Sequence, residues 1–151
     1  MAGSLRDVNM PGDFLGERLD TIAARLTDGC VTYAERSSMN ISAIILDVSF
    51  SIIGARRMDQ ATPHSFDLAF AKAYTALDYR ARTAEVGARL SAEAKVALSI
   101  VNPRLFFIAG GAPIEIGGKV VGSIGVSGGL PDQDAECVES VIGVVLGVHP
   151  S

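Results

Sequence analysis

Between Phe14 and about Ser38, apolar residues fall at Leu15, Leu19, Ile22, Ala23, Leu26, Cys30 and Tyr33. This is the three-and-four rhythm of an amphipathic helix, kept despite Gly29. The rhythm changes at Ile41. From there to Val48 the chain is continuously apolar and rich in isoleucine, and Ser49 to Gly54 is again β-prone. Two short neighbouring strands are expected, ending at Arg56-Arg57-Met58-Asp59. After a polar turn that holds Pro63, Ser65 is placed to cap a helix, and Asp67 complements its positive end. Phe66, Ala69, Phe70, Ala73 and Leu77 form the buried stripe of that helix, which runs to about Arg80. A smaller helix is predicted from about Ser91 to Ile100, stopping before Pro103 because the residue ahead of a proline is pushed out of the α region.

Leu105 to Ala109 reads as a short strand. Gly117-Gly118 then separates Pro113-Ile114-Glu115-Ile116 from Lys119-Val120-Val121, the pattern of a hairpin whose turn needs positive φ, and the second strand runs to about Val126. Ala135, Val138, Val141, Ile142 and Val145 give a final helix one apolar face. The order of elements, with hairpins at both ends, predicts an α+β fold: a central antiparallel five-stranded sheet packed with helices. Residues 1–13 are expected to be a flexible N-terminal segment, and 14–149 a single domain.

Composition adds a second expectation. The 151 residues are 48% hydrophobic, 20% charged and 6% aromatic. So apolar a chain leaves more oily surface than one core absorbs, and self-association follows. The net charge of −4 offers no basic field for a phosphate backbone, so nucleic acid is set aside as a partner. Two cysteines do not make the dense disulfide framework of a small secreted domain, and two reduced, buried thiols are expected. Residues 1–13 lack the apolar run of a signal peptide, and no apolar segment approaches the roughly 20 residues needed to span a bilayer, so a cytoplasmic protein without a membrane partner is expected.

The glycine-dense stretches are the most specific signal. Gly110-Gly111-x-Pro113-Ile114 and Val121-Gly122-x-Ile124-Gly125-Val126-Ser127-Gly128-Gly129 join Asp47, Arg57-Met58-Asp59, Ser65, Ala69, Lys72-Ala73, Thr75-Ala76 and Gln133-Asp134. In these residues the chain resembles the GlcG/HbpS family, which includes the C-terminal domain of PduO proteins, from the first helix to the last. The resemblance implies a profilin-like central antiparallel sheet and homo-oligomers such as tetramers or octamers. In several members it implies binding of haem or another tetrapyrrole. It does not imply one activity. The chain also departs from the pattern. Val48-Ser49-Phe50 stands where the first hairpin usually turns at glycine, Val138, Ser140 and Val141 replace small residues of the last helix, and the first helix has no histidine to serve as an axial ligand.

The residues that carry chemistry are few. His64 stands between Pro63 and the middle helix, able to act as general base, general acid or ligand near neutral pH, or simply to bond within a turn. His149, near the C-terminus, reads as a solvated bystander. Arg57, Asp59 and Lys72 either form a structural ion triad or border a cavity for an acidic molecule, with Arg57 as a fork and Lys72 as a point charge. Gly128-Gly129 before Asp132-Gln133-Asp134 either presents amides to an anion or permits a tight turn with an aspartate cap, and Asp134 is also a candidate catalytic carboxylate. Cys30 and Tyr33 lie one turn apart where some relatives hold a tetrapyrrole, and thiolate or phenolate can ligate ferric haem. No metal-site spacing and no hydrolase triad appear.

Two functions follow as expectations. One is an oligomeric small-molecule-binding protein resembling the haem- and tetrapyrrole-binding members, accessory to a metabolic pathway. The other is a cofactor-independent isomerase, lyase or cyclase acting on an acidic or carbonyl-containing metabolite through His64, Arg57, Lys72 and Asp134.

Overall fold

A computed structural model describes residues 13–14 and 17–147. The segment 1–12 and His149 lie outside the described residues. A two-residue ladder, β1 (Asp13–Phe14) with β2 (Glu17–Arg18), precedes helix α1 (Leu19–Arg36). Strands β3 (Ser42–Asp47) and β4 (Ile52–Arg57) follow, then helices α2 (Pro63–Tyr79), α3 (Thr83–Arg89) and α4 (Ala92–Val101). Strands β5 (Gly111–Ile116) and β6 (Lys119–Ser127) and helix α5 (Pro131–Leu146) complete the chain.

The fold is α+β, with an antiparallel sheet in the order β4-β3-β6-β5. It has four strands where five were expected. The predicted strand at Leu105–Ala109 is a loop: Leu105 N–H bonds the Asn102 carbonyl and Phe106 N–H the Thr75 hydroxyl, which removes them from any ladder. Leu105 and Phe107 both plug a small apolar cluster with Val86, a residue of the short helix α3 that the sequence pattern did not reveal.

Helices cover both faces of the sheet. On one side α1 and α5 pack Ile22, Leu26, Val138 and Val141 against Ala43, Ile45, Ile124 and Val126. On the other, α2 packs Ala69, Ala73 and Leu77 against Ile44 and Leu46. Burial on both faces is why β3 reads as an unbroken apolar run. The cap of α2 is Thr62, with Pro63 in its first turn, where a missing N–H costs nothing. Ser65, the expected cap, lies inside the helix; its hydroxyl donates to the Thr62 carbonyl at 2.6 Å and meets Ser42 Oγ at 2.8 Å, tying α2 to β3.

The first hairpin turns without glycine. Asp47 Oδ1 accepts from Ser49 N–H at 2.8 Å and Ser51 N–H at 3.2 Å, and Phe50 takes φ +62°. The ring of Phe50 rests on Tyr74, with centroids 4.8 Å apart, so packing offsets the left-handed backbone. The second hairpin turns as the sequence predicts, with Gly117 at φ +59° and Gly118 at φ +79°.

Gly125 sets how closely α2 can approach. A Cβ there would collide with the Ala69 carbonyl and lie 2.6 Å from the Ala73 nitrogen, both backbone atoms that cannot rotate away. Gly125→Ala is expected to lower the unfolding free energy by about 3 kcal/mol or more, measured by urea denaturation. A melt that does not move would mean that α2 is not seated on β6.

Candidate functional site

The sheet end formed by the start of β3 and the ends of β4 and β6 gathers three loops. Ser42 pairs with both Arg57 and Ser127, so the segments 37–41, 58–62 and 128–130 leave the sheet side by side. Lys72, halfway along α2, reaches into the protein behind them. Its Nζ donates to Asp134 Oδ2 at 2.9 Å and to the Val126 carbonyl at 3.0 Å. The two side chains are only 3% and 2% exposed. The other oxygen of Asp134 accepts from Gly129 N–H at 2.9 Å, which fixes the β6–α5 turn onto the pair.

Gly110 makes room for this arrangement. Its φ is +123°, and a Cβ would lie 2.9 Å from Lys72 Nζ and 2.7 Å from the Val126 oxygen. Burial lowers the Lys72 pKa from the usual lysine value of 10.5, while the Asp134 charge and hydrogen bond act in the opposite sense. The ammonium is held where water would otherwise solvate it, and the carboxylate with one carbonyl takes that place.

The expected Arg57–Asp59–Lys72 triad does not form. The partner of Lys72 is Asp134, and Arg57 Nη1 donates to the Ala61 carbonyl at 2.8 Å. Arg57, Asp59 and His64 are exposed, His64 in the first turn of α2. Arg57, at the end of β4, and His64 thus lie on the surface, whereas Lys72 and Asp134 are inside. The first turn of α5 is closed by Gln133, whose Oε1 accepts from Leu130 N–H at 2.9 Å, rather than by a capping aspartate.

Above Gly129 the three loops enclose a half-open groove of about 310 Å³. Ser38, Met39, Asn40, Gln60, Thr62 and Gln133 line it with the backbone of Gly128 and Gly129, and Met39 is the one apolar side chain among them. Sequence reasoning missed these side chains. They are ordinary loop residues, and only the register of three strands brings them together.

The family model of the haem degrading protein HbpS-like family matches residues 20–143. The chain belongs to that family. An uncharacterized 15.0 kDa protein of the dhaT-dhaS intergenic region in Citrobacter freundii is 31% identical over 126 residues, which cover 81% of this chain and 89% of the relative. Among solved structures, a double mutant of Streptomyces reticuli HbpS superposes with a TM-score of 0.74 at 30% identity, over 83% of this chain and 84% of that one. A PduOC–haem complex gives 0.76 at 25% identity, over 82% and 91%.

The two α1 residues singled out in this HbpS-like chain differ in their surroundings. Cys30 has no exposed surface, and the neighbouring Cys137 thiol, then burial, push its pKa well above the ordinary value. The Cys137 thiol points at the Cys30 carbonyl at 3.9 Å, and both cysteines are free. Tyr33 packs half-buried against the edge of the core. Of the two, only Tyr33 keeps surface exposed to solvent. Among the described residues no group of three or more His, Cys, Asp or Glu side chains is placed to hold a metal ion, and no helix is long and apolar enough to cross a membrane.

Two outcomes follow from the buried pair. Lys72→Met strands the Asp134 carboxylate in the core and is expected to cost about 3–5 kcal/mol, while Lys72→Met combined with Asp134→Leu regains much of the loss. Equal melts for the single and double variants would contradict the pairing. The pH dependence has a defined sign. Between the lowered pKa of Lys72 and the usual 10.5, the unfolded chain holds a proton that the folded chain gives up, so stability gained from this group rises with pH across that window. Urea melts in that window should show the rise in the parent and its absence in Lys72→Met; parallel profiles would remove Lys72 as the source.

Proposed function

We propose that this chain is an oligomeric small-molecule-binding protein of the tetrapyrrole-binding type, accessory to a metabolic pathway. The observation that carries the reading is the likeness to PduOC in complex with haem, which extends over 91% of that chain. The state of the charged residues supports binding over turnover. Lys72 and Asp134 neutralise each other out of reach of solvent, so neither is open to exchange a proton with a substrate. The catalytic reading, an isomerase, lyase or cyclase, is left with Arg57 and His64 on the surface, and it ranks second.

Self-association is supported by α4. Val96, Ile100 and Val101 are 62%, 75% and 84% exposed, and no residue of the helix is fully buried in the single chain, although Leu98 packs against Val86, Leu105 and Phe107. A second copy covering this helix would remove that apolar area from water. On α1, Tyr33 would supply an oxygen donor to a ferric porphyrin, which would bring with it the redox and ligand-exchange chemistry of the iron.

Titration with hemin is the test. A Soret band with a fixed stoichiometry is expected, weakened and shifted in Tyr33→Phe. A spectrum of free or loosely adsorbed hemin throughout the titration would end the tetrapyrrole reading; an unchanged band in Tyr33→Phe would move the ligand elsewhere.

A further inference from the structure

We infer that the groove between the 38–40 loop, the 60–62 loop and the start of α5 is a binding site for a small, uncharged, polyhydroxylated molecule such as a polyol or a single sugar. Its side-chain chemistry selects that class. Asn40, Gln60 and Gln133 contribute amides and Ser38 and Thr62 contribute hydroxyls, groups that each offer both donors and acceptors. A ligand with adjacent hydroxyls matches such a lining group for group. A charged ligand would have to shed water without meeting a countercharge, since no lysine, arginine, aspartate or glutamate side chain lines the groove. A porphyrin would set an apolar face against amides, so this site is separate from any tetrapyrrole surface.

Individual groups are free to act. Thr62 is the cap residue of α2, yet its hydroxyl makes no capping bond. Gln133 uses its oxygen on Leu130 N–H, which fixes the side chain and leaves its NH₂ as a donor. The floor is kept bare: a Cβ on Gly129 would lie 2.6 Å from Met39 Cε and 3.0 Å from Gln133 Oε1. The same Gly129 is held by Asp134, so the floor is anchored to the buried ion pair. A volume of about 310 Å³ is at the lower end of small-molecule sites and fits one ring better than a chain of them.

The test is titration of the full chain with myo-inositol, glucose and glycerol, followed by backbone amide NMR, with acetate and phosphate at matched ionic strength as charged controls. Saturable shifts confined to residues 38–40, 60–62 and 128–133 are expected from the neutral compounds. Asn40→Leu and Gln60→Leu, both at exposed positions, should each weaken binding about tenfold and leave the melting curve in place. The inference is overturned if none of the neutral compounds gives saturable shifts there, if acetate or phosphate binds the same residues more tightly, or if both variants bind like the parent. Hemin plays no part in the experiment, so its outcome is independent of the tetrapyrrole reading.

Discussion

The close seat of α2 on strands β5 and β6 governs the rest of the structure. Gly125 and Gly111 face the helix where any side chain would strike its backbone, and Ser123 donates to the Ala73 carbonyl at 2.6 Å. An all-aliphatic strip would hold the helix several ångströms further out. Because α2 lies so near, Lys72 on its inner face is carried into the protein instead of along the surface. An ammonium there needs a countercharge, and α5 supplies Asp134. Asp134 in turn holds Gly129, and Gly129 is the floor of the groove. Each step is forced by the one before it.

Much of this order was legible in the chain. The long helices and the β5–β6 hairpin follow from periodicity and from the two glycines of the turn, whose positive φ only glycine adopts freely. The glycine clusters were also recognisable as the mark of the fold, and their tasks divide: Gly111 and Gly125 clear the backbone of α2, Gly122 clears that of β3, and Gly110 and Gly128 take positive φ. Where the pattern failed, tertiary contacts had overruled it. Leu105, Phe106 and Phe107 have the composition of a strand, but Thr75 takes the Phe106 amide and Val86 receives the flanking side chains. Ser65 has the right chemistry for a cap, yet Pro63 starts the helix earlier and leaves the hydroxyl to bridge two elements.

The site was legible in its parts and not in its pairing. Lys72 and Asp134 are 62 positions apart, and nothing local indicates that each neutralises the other. Arg57 and Asp59 are nearer in sequence to Lys72, which makes them the natural partners on paper, but β4 ends at the surface while α2 turns Lys72 inward. The amides and hydroxyls of the groove carry no signal at all. Asn40, Gln60 and Thr62 are common loop residues, and their convergence is a property of strand register.

A buried ion pair is a poor source of stability, because the cost of removing both charges from water offsets most of their attraction. Its value here is positional. An apolar pair in the same place would fill the volume but would leave Gly129 N–H without its acceptor, and the β6–α5 turn would lose the bond that fixes it. The division of labour across the surface then makes physical sense. Polar loops anchored by the pair present a small concave site, while α4 presents an exposed, convex apolar strip of Val96, Ile100 and Val101. A convex apolar surface cannot enclose a flat hydrophobic ligand by itself. On the proposed reading the tetrapyrrole is instead held by Tyr33 on α1, across the sheet from α4, which packs with α2 through Leu98 and Tyr74, so ligand binding and self-association use separate surfaces.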